Sequence, residues 1–147
     1  MFTALVVLVS SCNKDNFDAE KQAVKDDALI VDFVAKNNIQ ATKHPSGLYY
    51  QVITPGTGAT VTAASRVTVN YEGKLLNGNT FDKSKEAISF GLTQVIQGWT
   101  IGVPLVKVGG TIRLIVPSAL GYGNQSPGGG IPENAVLDFT IELINAQ

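Results

Sequence analysis

Two hydrophobic periodicities divide the chain. From Asp18 to Asn38 it reads DAEKQAVKDDALIVDFVAKNN, with Val24, Ala28, Val31 and Ala35 at i, i+4, i+7 and i+11. That spacing predicts an amphipathic helix. Asp18 stands where a side chain can cap its start, and Asn37–Asn38 can end it. Leu29, Ile30, Phe33 and Val34 widen the apolar stripe, so one face must be covered, either by the segment that follows or by a second subunit.

Beyond Gly47 the period changes from helical to alternating. GLYYQVIT ending in PGTGA reads as a strand and a turn. In RVTVNYEGKLL, Val67, Val69 and Tyr71 share one face while Arg66, Thr68 and Asn70 take the other. The following Asn77–Gly78–Asn79 is a tight-turn signal. TIRLIVP (Thr111 to Pro117) and AVLDFTIELI (Ala135 to Ile144) are two further strands. In the second, Leu137, Phe139, Ile141 and Leu143 oppose Val136, Asp138, Thr140 and Glu142. Between them runs the glycine- and proline-rich loop SALGYGNQSPGGGIPEN, and no internal repeat is present. The fold class expected from this pattern is α+β: an antiparallel sheet with one short helix against it.

That short helix lies in QVIQGWTIGV, which holds the only tryptophan, Trp99, between Gly98 and the Gly102–Pro104 stretch. A helix this short is not stable alone in water. It must exist by packing on the sheet, its glycines allowing close approach, with Trp99 as the floor of a concavity and one indole face in solvent.

Composition narrows the chemistry. The 147 residues are 44% hydrophobic, enough for a core, and the formal charge of -1 provides no basic field for nucleic acid. One cysteine excludes an intrachain disulfide, and there is no Cys/His cluster with metal spacing. Neither a metal nor another cofactor is expected. The single histidine, His44, falls in the turn TKHPSG and is assigned no role. GYGNQSPGGG lacks both the Lys-Ser/Thr ending and the G-x-G-x-x-G spacing of phosphate loops, so a flap over a pocket is expected there. Near the start, Phe2 to Val9 form an uninterrupted apolar run. It is shorter than the ~20 residues that span a bilayer and suits a secretory signal. It is followed by Val-Ser-Ser-Cys, which resembles a bacterial lipobox with Cys12 as the lipidated residue.

The ordered set VNYEGKL, FDKS, SF, QVIQGW, GYG and IPENAVLDFTIEL resembles the FKBP-type peptidyl-prolyl cis-trans isomerases from about Leu48 to Leu143. The resemblance implies a half-barrel sheet wrapped around the short helix, with a proline pocket between them. It implies Trp99 beneath the proline ring, with Tyr71, Phe81, Val95, Ile96 and Phe139 as walls and Phe90 from the strand before the helix. It makes Asp82 the acid beside the pocket, acting directly or by orienting neighbours, and Tyr122 the hydroxyl that reaches the substrate carbonyl. Ile131 becomes an apolar residue of the overhanging loop, and the Ile96 N–H a further ligand contact.

The same resemblance implies proline-containing polypeptides as substrates and macrolides such as tacrolimus and rapamycin as inhibitors. The tip Ser126 to Gly130 and Ile88, where small members place an aromatic, imply weaker macrolide binding. The implied organisation is a signal peptide over 1–11, a tether over 12–18 after lipidated Cys12, a helical extension over 19–46 and an isomerase domain over 47–147. The implied location is the bacterial envelope, held to its membrane by the lipid. A proline-peptide-binding chaperone or adaptor on the same scaffold is the alternative, and a carrier of an apolar metabolite a third.

This chemistry suits a chain without a nucleophile and base pair. Rotation about X–Pro is slow because it breaks amide resonance, and nothing need be cleaved. An apolar pocket favours the twisted amide, which has lost the charge separation of the planar one.

Overall fold

Local backbone chemistry sets where the elements begin and end. The computed structural model describes residues 17–147; the apolar run, Cys12 and the start of the tether lie outside the described residues. The elements in chain order are α1 (Ala19–Lys36), β1 (Thr42–Lys43), β2 (Tyr49–Thr54), β3 (Arg66–Leu75), β4 (Thr80–Lys83), β5 (Ile88–Gly91), α2 (Gln97–Gly102), β6 (Thr111–Val116) and β7 (Leu137–Ala146). Short 3₁₀ turns occupy Val103–Leu105 and Ser118–Leu120. The four strands expected from alternation correspond to β2, β3, β6 and β7. β1, β4 and β5 are two to four residues long, too short to show a period of two.

All pairings are antiparallel, in the order β1-β2-β6-β7-β3-β4. The long β3 serves two partners along one edge: β5 pairs with Arg66–Val69 and β4 with Glu72–Lys74. The turn into β4 closes as its sequence requires, with Gly78 at φ +91° and the Asn79 N–H donating to Asn77 Oδ1 at 2.9 Å. Ser84 stitches the crossing from β4 to β5. Its N–H donates to the Tyr71 carbonyl (3.0 Å), and its Oγ accepts from the Tyr71 N–H (2.9 Å).

One face of the sheet is the core. Val67 and Val69, Ile112, Leu114 and Val116, and Leu137, Ile141 and Leu143 are buried there with Trp99 and Val103. α2 lies directly on β6. A Cβ on Gly98 would stand 2.6 Å from Val116 Cγ1, and one on Gly102 would stand 2.5 Å from Leu114 Cδ2. Only glycine permits that separation, so two residues that weaken an isolated helix are the ones that let this helix dock.

α1 covers the opposite face, by a different stripe from the expected one. Its start is capped as predicted, with Asp18 Oδ1 accepting from the Lys21 N–H at 3.1 Å. The expected stripe of Val24, Ala28, Val31 and Ala35 faces solvent, Val24 being 72% and Val31 50% exposed. The docking side is Asp26, Ile30, Phe33 and Val34, with Ile30 packed against Tyr49, Ile115 and Val136. The reason is Asp26: a buried carboxylate in the docking face interrupts the apolar pattern there. Tyr49 donates to Asp27 Oδ1 (2.8 Å), and Arg113 makes a bidentate pair with Asp138 (2.9 and 2.7 Å) beneath the Phe33 ring. Among the described residues no helix is long and apolar enough to cross a membrane.

Gly98→Ala should therefore destabilise the protein by about 1–3 kcal/mol, overpacking outweighing the ~1 kcal/mol gain in helix propensity. Denaturant unfolding reads this directly. A more stable variant would mean that α2 sits further from β6 than described.

Candidate active site

Once α2 is pressed onto β6, its one aromatic side chain, Trp99, is driven into an aromatic cage. The Trp99 ring meets Tyr71 (5.2 Å between centroids, 79°), Phe90 (5.6 Å, 87°) and Phe139 (5.4 Å, 87°), all edge to face. These are favourable quadrupole geometries. Phe81 stands edge-on to Phe139 (5.5 Å, 89°), and Tyr71 to Phe90 (6.0 Å, 65°). The cage draws on β3, β4, β5, α2 and β7, elements far apart in sequence that the fold brings together.

The cage opens into a cleft of about 450 Å³. Tyr71, Phe81, Phe90, Trp99 and Phe139 line it, with Val95 and Ile96 from the approach to α2 and Asp82 and Tyr122 at its polar side. Gln94 joins them and was not anticipated. Ile131 is the exception among the expected residues. It is 7% exposed, packed in the main core and absent from the cleft lining. A bridge to Gly128 and a bond from Ser126 Oγ to the Ile131 carbonyl fold the loop back on itself and turn that side chain inward.

Trp99 also departs from expectation. Only 4% of it is exposed, so the floor is largely core and only a small part of the indole meets the cleft. Its Nε1–H is buried and has no hydrogen-bond acceptor among the described residues. Gly73 is a site-building residue that the motif reading passed over. A Cβ there would stand 2.6 Å from Phe81 and 2.7 Å from Phe139, so the gap in β3 holds both rings. A glycine inside a strand is the sequence signal for such an approach.

The polar side is sparse. Tyr71 Oη donates to Asp82 Oδ2 at 2.6 Å. Burial, then this bond and the Asp82 charge, hold the Tyr71 phenol well above the usual phenol range. Asp82 therefore fixes one wall of the cage. Tyr122 is 41% exposed at the rim, its ring following the 3₁₀ turn Ser118–Leu120. The Ile96 carbonyl accepts from the Trp99 N–H (3.0 Å) and the Thr100 N–H (3.3 Å), opening α2. Among the described residues no group of three or more His, Cys, Asp or Glu side chains is arranged to hold a metal ion. An aromatic box with one acid and one rim phenol can bind a compact apolar ring and hold a carbonyl above it.

Known proteins combine the same elements. Residues 58–144 match the model of the FKBP-type peptidyl-prolyl cis-trans isomerases. A probable FKBP-type isomerase of Haemophilus influenzae is 40% identical over 131 residues, covering 86% of this chain and 54% of its own. The outer membrane protein MIP of Legionella longbeachae is 39% identical over 135 residues, covering 90% and 57%. The chain thus spans about half the length of these relatives. The crystal structure of FkpA from Escherichia coli superposes with a TM-score of 0.75 at 37% identity, over 87% of this chain and 62% of that one. A peptidyl-prolyl isomerase structure from Pseudomonas syringae gives 0.77 at 32% identity, over 90% and 98%. With the half-barrel core, the cage around Trp99 and a family match over most of the sheet, this chain belongs to the FKBP-type peptidyl-prolyl cis-trans isomerases.

Proposed function

We propose that this protein accelerates cis-trans rotation about X–Pro bonds in polypeptides of the bacterial envelope. The observation that carries the reading is the cage: a buried indole met by the Tyr71, Phe90 and Phe139 rings, with Phe81 as a further wall of a cleft large enough for a prolyl residue.

The uncatalysed bond turns over in tens to hundreds of seconds because twisting it breaks amide resonance. The planar amide is charge-separated and prefers water; the twisted amide is less so and prefers apolar surroundings. A proline ring seated on Trp99 carries its amide into a cleft walled by Phe81, Phe90 and Phe139, which stabilises the twisted form over the planar one. Every 1.36 kcal/mol of that preference is tenfold in rate. Tyr122, at the rim, donates its hydroxyl to the carbonyl oxygen through the twist. Asp82 acts by holding Tyr71, so the wall does not move as the bond rotates. Macrolides that present a proline-like ring compete for the same cleft. The Val-Ser-Ser-Cys motif and the envelope name of the Legionella relative support lipidation at Cys12 and attachment to an envelope membrane.

Relaxation of a proline tetrapeptide from cis to trans, followed with the full chain and without a coupling protease, tests the reading. Acceleration is expected, with kcat/KM lowered about tenfold or more by Tyr122→Phe. The exposed ring makes that variant as stable as the parent, and peptide binding should persist. No acceleration by folded protein would leave a proline-binding module in place of an enzyme. Because burial and the Asp82 bond hold Tyr71 protonated, the residual kcat/KM of Tyr122→Phe should show no fall centred at about pH 10, where an ordinary phenol ionises. A fall centred there would show that Tyr71 titrates as a free phenol and would contradict its assigned role.

A further inference from the structure

The one fully buried carboxyl among the described residues is not in the cleft. Asp26, on α1, is 0% exposed. Its Oδ2 accepts from both the N–H (2.8 Å) and the Oγ (2.5 Å) of Ser118, and its Oδ1 from Gln22 Nε2 (2.8 Å). Burying a carboxyl is costly unless such donors satisfy it, and here two of the three belong to one residue 92 positions away. Hydrophobic docking of α1 is already provided by Ile30. The Asp26 link adds direction: holding both the N–H and Oγ of Ser118 fixes the orientation of that peptide unit.

Ser118 passes the constraint on. Its carbonyl accepts from the Gly121 N–H (3.0 Å) and the Gly123 N–H (2.8 Å), the two amides that flank Tyr122. The Gly123 carbonyl in turn accepts from the Asn134 N–H (2.9 Å), closing the loop at its far end. The Tyr122 ring, 41% exposed, has limited packing of its own, so its place over the cleft depends on these backbone bonds. Both glycines around it otherwise leave the backbone free to swing, Gly123 adopting φ +64°.

We propose that Asp26 is a positioning residue for Tyr122, so that the helix on the back of the sheet sets the hydroxyl at the front. This rests on the isomerase reading of the cleft, in which Tyr122 touches substrate. A displacement of about 1 Å at such a group can lower a rate by as much as a hundredfold.

Two measurements on the full chain test the proposal. The first is amide hydrogen exchange at Gly121 and Gly123, which reads the linkage whether or not the protein is an enzyme. Asp26→Ala should speed exchange there at least about tenfold while β3 and β7 stay protected. The second is a double-mutant cycle in tetrapeptide relaxation. Asp26→Ala should lower kcat about tenfold with KM little changed, and should lower it no further in a Tyr122→Phe background. Asp26→Asn retains an oxygen for Ser118 and faces a Gln22 amide able to turn over, so it should recover most of the loss. If Asp26→Ala does not fold, Ser118→Ala removes the shorter of the two bonds and is read in the same way.

Unchanged exchange in a folded variant, or equal losses with and without the Tyr122 hydroxyl, would overturn the proposal and leave Asp26 a stability residue. If the parent protein itself shows no acceleration, the isomerase reading falls. The linkage is then decided by exchange at Gly121 and Gly123: acceleration in Asp26→Ala upholds it, and unchanged exchange rejects it.

Discussion

Everything at the front of this protein depends on how closely α2 approaches β6. At Gly98 and Gly102 there is no room for even a methyl group against Val116 and Leu114. A helix of six residues has little stability of its own, so its position is given by the sheet it touches. Because it sits so low, Trp99 enters a space bounded by β3, β5 and β7 instead of crossing to another helix. The same absence of a side chain at Gly73 brings Phe81 and Phe139 together on the other wall. Three glycines thus shape an aromatic cage that larger residues would fill or push apart.

The cage suits the proposed chemistry, which needs few polar groups. Rotation about a prolyl bond transfers no atoms, so a site for it needs shape and a low-polarity surround before acids and bases. The Tyr71–Asp82 bond serves that end by fixing a wall, and Tyr122 stands half-exposed at the rim. On the reverse face, α1 closes the outer side of the sheet with Ile30 and reaches the Tyr122 loop through Asp26 and Ser118. Front and back of the sheet are joined through that one buried carboxyl.

Alternation made β2, β3, β6 and β7 legible, because each is long enough to show two faces. β1, β4 and β5 left no such pattern; they are strands because neighbours pair with them, which is tertiary information. The residues around the cleft were legible through the ordered motifs, and the structure brings together all of them except Ile131, which loop closure turns into the core. The docking face of α1 was misread for a physical reason. Apolar periodicity treats an aspartate as a solvent position, and nothing local in DDAL reveals that a serine far along the chain will satisfy it. The burial of Trp99 was underestimated in the same way, since the three rings that enclose it come from three separate strands.

Trp99 is the only tryptophan, so its emission reports on the pocket floor without labelling. The most direct test is to titrate the full chain with a proline-containing peptide and record indole fluorescence beside calorimetric binding. A proline ring seated on the cage should change the intensity or wavelength of the emission, saturating at the calorimetric Kd, and tacrolimus should displace the peptide in the calorimeter. Peptide binding that leaves the emission untouched would place the ligand elsewhere and contradict the claim that this helix exists to hold an indole under proline.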